Sequence, residues 1–290
     1  MSGARGRPFL GIAPWGVFFA VFGLFPLAYA FVLSFLSLNP LRPDLVRWVG
    51  FANYERALAS PSFWHALRTT AFFVVGTLPV TLTLAYGVAA LLSRIRRGET
   101  FFRAAIFFPA TLSMVVIALV FKSLYAEEGL LNGWLAAVGL PRVHWLQDPS
   151  LALPSIMLMD VWASVGYYAI LILAARKTLP REQLEAARLE GLSPLTVERR
   201  IVLPHVRPVL LFVVLLNTIR SFQIFIEVFV LTRGGPLEST LTLVYHLYER
   251  AFYHFEMGYA SALAYLLLIL VGLVLLAQRR LIGRGAEAAP

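Results

Sequence analysis

The sequence predicts an all-α integral membrane protein with six transmembrane helices, and three observations predict it. Apolar residues make up 59% of the 290-residue chain and charged residues 14%, with a mean hydropathy of +0.75. A soluble domain of this length has no interior large enough to hide that much apolar side chain. The apolar residues gather into six stretches near the ~20 residues that cross a hydrocarbon core. Between them, Lys and Arg crowd into alternate connecting segments, the pattern expected when basic loops stay in the cytoplasm.

Taken in order, the spans fall at about 12–36, 68–92, 104–125, 154–175, 209–231 and 260–277. Helices suit all six, because the other membrane architecture, a closed barrel, needs ten-residue alternating segments and none is visible. Pro26, Pro79, Pro109 and Pro154 lie in or near spans, where neighbouring helices satisfy the freed backbone groups. The first span follows Arg5 and Arg7 and contains Ala28-Tyr29-Ala30, which imitates a signal peptide with its cleavage site. Its apolar run continues past that site to about Leu38, as expected of a retained helix.

With the N-terminus in the cytoplasm, 16 of the 25 Lys and Arg fall on inside segments, Arg5, Arg96 and Arg284 among them. Eight fall outside, and Arg220 lies within a span. This bias places both termini and the loop at 180–204 on the cytoplasmic face. It also accounts for the net charge of +9 without nucleic acid. The outer connections read as turns and short surface helices, punctuated by Asn39-Pro40, Gly139-Leu140-Pro141 and Asp148-Pro149. Thr232-Arg233-Gly234-Gly235-Pro236 ends the fifth helix in a sharp reversal. Trp48, Trp134 and Trp145 are expected at the membrane interface, and Gly76, Ala85, Gly87 and Ala89 at helix–helix packing sites. No repeat or low-complexity segment appears, so 1–290 reads as a single transmembrane domain with a short tail after Arg284.

Several chemistries are excluded. No cysteine is present, which removes disulfides, thiolate metal sites and a Cys nucleophile. There is no G-x-x-x-x-G-K-S/T phosphate loop, and neither lysine, Lys122 or Lys177, follows a glycine-rich turn, so the chain does not bind ATP by that route. His65, His144, His205, His246 and His254 are scattered without metal-ligand spacing. No enzyme motif occurs, and no cofactor or metal is expected on this chain.

Two polar regions stand out against the apolar background. The first is the loop at 180–204, with helical periodicity, a glycine break and a proline exit. Pro180 suits a helix start, Glu182 and Glu185 favour the dipole there, and Gly191 ends that helix. Leu184, Ala186, Ala187 and Leu189 give it an apolar face. Ser193-Pro194 restarts a second short helix through an N-cap and a first-position proline, and Leu203-Pro204 stops it before the fifth span. On these residues alone the loop either docks into a partner or lies as an amphipathic surface segment. The second region is intramembrane: Asp160, Trp162, Ser164, Tyr167 and Tyr168 in the fourth span, and Asn217, Thr218, Arg220, Ser221, Gln223 and Glu227 in the fifth. Polar groups in spans are costly and mark function or helix–helix hydrogen bonding. Asn217, Arg220, Ser221 and Ile224 share one helical stripe. Arg220 either pairs with Glu227 or Asp160, or grips an anionic solute.

The spacing E-A-A-x3-G-x9-I-x-L-P, carried by Glu185, Ala186, Ala187, Gly191, Ile201, Leu203 and Pro204, resembles the coupling-loop signature of ABC importer permeases. The departure is Glu190, where the family commonly has Asp before the glycine; the charge is kept. Further motifs resemble the carbohydrate branch, which imports maltose, other oligosaccharides and glycerol-3-phosphate. They are Phe25-Pro26-Leu27 with Ser34-Phe35, Gly50-Phe51-x-Asn53-Tyr54, Phe63-Trp64-x-Ala66-Leu67-Arg68-x-Thr70 and Phe101-Phe102-Arg103. Gly129-Leu130-Leu131-Asn132, Ser221-Phe222-Gln223, Leu231-Thr232-x-Gly234-Gly235-Pro236 and Gly258-Tyr259-Ala260-Ser261-Ala262 complete the set, which runs over nearly the whole chain.

The resemblance implies a multi-pass permease of the bacterial cytoplasmic membrane whose loop fits a cleft on a cytoplasmic ATPase. It implies a homologous second permease, two ABC ATPase subunits that use ATP and magnesium, and an extracytoplasmic solute-binding protein. Carried over motif by motif, it suggests Ser164, Tyr167, Asn217, Ser221 and Gln223 as sugar contacts. An anionic solute such as glycerol-3-phosphate is the alternative within the family. An ion-coupled secondary transporter is the rival from outside it, and would be expected to show internal repeats.

Overall fold

The computed structural model describes residues 7–95 and 97–283. The expected cytoplasmic charges Arg5, Arg96 and Arg284, and the tail after Arg284, lie outside them. The chain forms two compact units, one holding the described residues up to Trp64 with His246–Ile269, the other His65–Tyr245 with the described residues from Leu270 onward.

The first span is α1 (Arg7–Phe19) and α2 (Phe25–Ser34), joined by a π turn over Ala20–Leu24. Pro26 explains the turn. Proline has no N–H, and its ring crowds the carbonyl four residues back. The wider turn, in which the Phe25 N–H donates to Ala20 O, carries the helix past that point without a break. A two-residue antiparallel pair follows, β1 (Leu36–Ser37) with β2 (Arg47–Trp48), and then α3 (Ala52–Ala59). The side-chain amide of Asn53 donates to the carbonyls of Ser34 at 2.8 Å and Leu36 at 3.0 Å. It thereby satisfies acceptors left open where the first span ends.

The second span, α4 (Pro61–Leu92), starts earlier than the expected 68. The third differs more. In place of one helix over 104–125, α5 (Glu99–Thr111) and α6 (Met114–Leu124) meet at 93°. Leu112 and Ser113 are both extended at the break, just after Pro109. The loop after α6 holds α7 (Leu130–Ala137) and is closed by Asn132, which exchanges hydrogen bonds with the backbone of Val143 at 2.9 and 3.0 Å. At its end the Ser150 hydroxyl and backbone N–H hold the Asp148 carboxyl below the usual carboxylate range. Trp48 and Trp134 are exposed as interfacial residues should be, but Trp145 is half-buried against Tyr125.

The fourth span, α8 (Ala152–Lys177), is buried on most sides, as its near-continuous apolar sequence requires. The loop after it holds α9 (Arg181–Leu189) and α10 (Pro194–Val197), and the fifth span is α11 (Leu203–Phe222). That span is interrupted at Gln223–Phe225 and resumes as α12 (Ile226–Leu231), whereas a continuous 209–231 was expected. After the reversal at Gly234, which lies at φ +82°, come α13 (Leu243–Tyr248), a π turn over Glu249–Tyr253, and the last span α14 (Met257–Gly283). Within the first unit, Arg56 pairs with Glu256 at 2.9 Å and stacks over the Tyr259 ring at 4.3 Å. A Cβ on Gly258 would fall on the Leu36 carbonyl oxygen. The Asn53 and Gly258 motifs therefore have structural work in this unit.

Among the described residues, five helices are long and apolar enough to cross a bilayer, and the bent pair α5–α6 makes a sixth if counted as one span. The core of the second unit gathers Ala85, Ala89 and Leu92 of α4, Tyr168, Ala169, Ile172 and Leu173 of α8 and Val213 of α11. Ala85 and Ala89 are packing residues as expected, and Gly76 faces Met157. At Gly87 an added Cβ would meet nothing within 4 Å among the described residues. Within the second unit α5 and α8 come close at Gly166, where a Cβ would fall on the Ile106 carbonyl oxygen of α5. Gly166→Leu is therefore expected to force α5 off α8, at a cost above the ~1–3 kcal/mol of ordinary overpacking. Gly87→Ala should be neutral. Monodisperse yield in detergent distinguishes the two, and equal yields would refute the packing role of Gly166.

Candidate functional site

The loop between the fourth and fifth spans folds as two short helices around a glycine turn. Pro180 is the N-cap of α9 rather than a first-turn residue. At the far end Gly191 adopts φ +72°. Its N–H donates to Arg188 O at 3.0 Å, and the Leu192 N–H reaches Ala187 O at 3.0 Å. These are the paired bonds of a Schellman stop, which satisfies carbonyls the helix leaves open. The Ser193 hydroxyl then caps α10, accepting the Thr196 N–H at 3.2 Å, with Pro194 at the first helical position.

The exit departs from expectation. Leu203-Pro204 does not stop the second helix; α10 runs through a π turn, Glu198–Val202, directly into α11. The Leu203 N–H donates to Glu198 O, the same device that carries the first span past Pro26. The second loop helix and the fifth span are thus one continuous rod.

The loop rests on a small core of its own, Leu179, Val202 and Val206, with Leu184, Val197, Ile201, Tyr86 and Leu210 against it. Of the expected coupling residues, Ala187 is buried and Ile201 half-buried, while Glu185, Ala186, Gly191, Leu203 and Pro204 are exposed. The expected apolar face is split. Leu184 and Ala187 turn inward, but Leu189 is 90% exposed and Leu195 is 59% exposed, one on either side of the glycine turn. Leu195, with no counterpart in the sequence reading, is an apolar side chain on solvent-facing polar helices. A further group also escaped it. The Glu198 carboxylate accepts hydrogen bonds from the Tyr86 hydroxyl and the Arg176 guanidinium, tying the loop to α4 and α8.

Among the described residues, a pair of neighbouring cavities lies between spans of the second unit. One, of about 250 Å³, is lined by α5 and α6 at their bend and by Ala163, Ser164, Tyr167, Tyr168 and Arg220. The other, of about 430 Å³, is lined by Arg220, Gln223, Phe225 and Glu227 around the break in the fifth span. Met114 and Arg220 border both. Arg220 is paired: its Nη2 lies 2.7 Å from Asp160 Oδ1 and 3.7 Å from Glu227 Oε1.

The expected sugar contacts separate in space. Ser164 and Tyr167 share the first cavity and Gln223 lines the second. Asn217 and Ser221 line neither; they are buried, with the Ser221 hydroxyl donating to Asn217 Oδ1 at 3.2 Å. The expected stripe holds through Ser221, but Ile224 falls in the helix break.

A bundle of membrane helices with a helical knob on one loop and cavities between its spans describes a transport component. The chain belongs to the family of binding-protein-dependent transport system inner membrane components, whose model matches residues 81–285. It is 33% identical over 271 residues to the lactose transport system permease protein LacF of Rhizobium radiobacter, covering 91% of this chain and 90% of that one. It is 31% identical to the arabinooligosaccharides transport system permease protein AraP of Bacillus subtilis, over 96% of this chain and 89% of that one. A chain of the bacterial alginate ABC transporter, crystallised with an alginate pentasaccharide-bound periplasmic protein, superposes with a TM-score of 0.84. At 17% identity, covering 97% of this chain and 96% of that one, it shares the fold. The protein is an ABC transporter permease of the inner membrane, a transport component rather than an enzyme. Family membership removes the ion-coupled secondary transporter.

Proposed function

We propose that this chain is one permease subunit of an importer for neutral sugars or oligosaccharides. It works as a single domain with a homologous second permease. Two ATPase subunits supply the drive by using ATP and magnesium, and dock on the 180–204 loop from the cytoplasmic side. An extracytoplasmic solute-binding protein delivers the sugar. The naming of relatives for lactose and arabinooligosaccharide transport supports the solute class.

The observation that carries the reading is the first cavity, where Ser164 offers a hydroxyl and Tyr167 an aromatic face. Sugars are held by hydrogen bonds to their hydroxyls and by stacking, and neutral pockets combine both. The Ser164 hydroxyl proton is already given to Asp160 O at 2.8 Å, leaving its oxygen to accept. Gln223 joins the same surface if Met114 and Arg220, which border both cavities, move to open one into the other. Asn217 and Ser221 would contribute after such a rearrangement. An anionic solute is disfavoured, because Arg220 already faces two carboxylates.

The direct test is to copurify the solute-binding protein and identify its ligand; a phosphate ester would overturn the neutral-sugar reading. With that sugar labelled, Tyr167→Ala and Gln223→Ala should each weaken uptake by about two- to tenfold, the range of ~0.5–1.5 kcal/mol for a lost aromatic contact or a lost neutral hydrogen bond. Asn217→Ala and Ser221→Ala should do less. The reverse ranking would move the pocket to the buried pair.

A further inference from the structure

Three ionisable side chains meet where the loop joins the spans, and the sugar-binding reading uses none of them. Glu198 sits in the π turn that converts the second loop helix into the fifth span. Its carboxylate accepts from Tyr86 of the second span and from both terminal nitrogens of Arg176 at the end of the fourth, one of these at 3.1 Å. The Arg176 side chain is 7% exposed and that of Glu198 21%, so the pair is shielded from solvent and salt. Arg176 also lies over the Tyr86 ring, 5.5 Å from its centroid.

The position of the trio matters as much as its bonding. The loop core of Leu179, Val202 and Val206 and the span core around Ala85, Ala89 and Tyr168 are separate clusters. Tyr86 and Leu210 pack against both. The ionic group therefore occupies the seam between them. On its far side, Tyr168 belongs to the span core and also lines the first cavity.

We infer that Glu198, Arg176 and Tyr86 form the joint through which displacement of the docking loop moves the second and fourth spans with the fifth. Glu198 and Arg176 are positioning residues: neither lines the two cavities. Along the chain alone, the rod formed by α10 and α11 would transmit motion to the fifth span only. Glu198 adds a cross-link to two more helices, one of which forms the cavity wall. Packed interfaces of this kind hold discrete arrangements rather than deforming smoothly, so a firm cross-link passes a displacement on. The inference rests on the loop docking an ATPase.

The chain has no cysteine, which gives a clean probe. Met114→Cys marks the wall common to both cavities. The complex, purified with its ATPase subunits and placed in lipid nanodiscs, is treated with MgATP and orthovanadate, and the maleimide labelling rate of this chain is compared with the nucleotide-free rate. With Glu198 present, the rate should change about fivefold or more, the lower end of ordinary site–site coupling. With Glu198→Gln added, the change should fall below about twofold while the complex still assembles and hydrolyses MgATP.

A full labelling response in Glu198→Gln overturns the inference. So does a variant in which assembly, hydrolysis and labelling decline together, since that marks a role in folding alone. If Glu198→Gln does not assemble, Arg176→Met with Glu198→Gln removes both charges and leaves none unpaired. Normal response in that variant, or failure of both to assemble, likewise overturns the joint. A complex with native Glu198 that retains no ATPase would instead sink the docking reading, and this inference with it.

Discussion

Arg220→Gln is expected to reduce the yield of folded protein sharply, and neutralising the carboxylates that face it to restore that yield. Arg220 reaches Asp160 at 2.7 Å and Glu227 at 3.7 Å. The Asp160 side chain is 5% exposed and that of Glu227 9%, against 35% for Arg220. The guanidinium is thus the group that can be reached and the carboxylates are the groups sealed in. Removing one partner of a buried pair typically costs ~3–5 kcal/mol, because a charge is left without compensation. Inside a membrane there is less water to offset that cost.

Asp160→Asn in the Arg220→Gln background should recover part of the yield, since the nearer carboxylate is then neutral. Adding Glu227→Gln should recover the rest. Detergent-stable protein after size exclusion is the readout. If Arg220→Gln assembles normally and selectively loses transport of a phosphate ester, Arg220 is a solute ligand and the neutral-sugar reading goes with its ion-pair role.

The two ends of this cluster were legible because charge inside an apolar stretch stands out in any sequence. The six spans were legible for the same reason in reverse. The bend between α5 and α6 was not. Hydropathy averages over a span, and Leu112-Ser113 adds too little polarity to interrupt it, while Pro109 alone is compatible with a straight helix repaired by neighbours. Pro204 misled in the opposite sense. A proline at the end of a polar loop reads as a stop, but a π turn one step earlier lets the helix continue, and no local residue type announces that turn.

The Tyr86, Arg176 and Glu198 group was hidden by its surroundings. Arg176 lies among basic residues that positive-inside bias already explains, and Glu198 lies among polar residues of a solvent-facing loop. Tyr86 is one aromatic in an apolar span. Only their convergence makes them a unit, and the three positions span more than a hundred residues of chain, Tyr86 and Glu198 lying 112 positions apart. Asn217 and Ser221 show the same limit from the other side. Their stripe on α11 was readable, but whether that stripe faces a cavity or a neighbouring helix depends on packing that periodicity does not encode.

Gly191→Asp is expected to leave the protein inserted and folded while abolishing its coupling to the ATPase. Gly191 holds φ +72°, where side chains other than glycine are strained, yet a Cβ there would meet nothing within 4 Å of this chain. The internal cost is therefore backbone strain alone, about 1–2 kcal/mol in the left-handed region and less for Asp or Asn, whose short polar side chains tolerate it. That is too little to unfold a six-span bundle. The space around Gly191 is instead at the surface of the knob, between the exposed side chains of Leu189 and Leu195. A carboxylate introduced there, next to Glu190, would put charge and bulk at the centre of the proposed docking face. Gly191→Asp should lose most of its copurifying ATPase and at least about 90% of uptake, equivalent to ~1.4 kcal/mol or more of lost coupling. Gly191→Asn separates the causes. It tolerates the same backbone conformation without the charge, so it should retain more ATPase and more uptake than Asp. An equal failure of both would mean that the partner needs the space itself. Normal ATPase copurification and normal uptake in Gly191→Asp would mean that the knob does not dock through this turn.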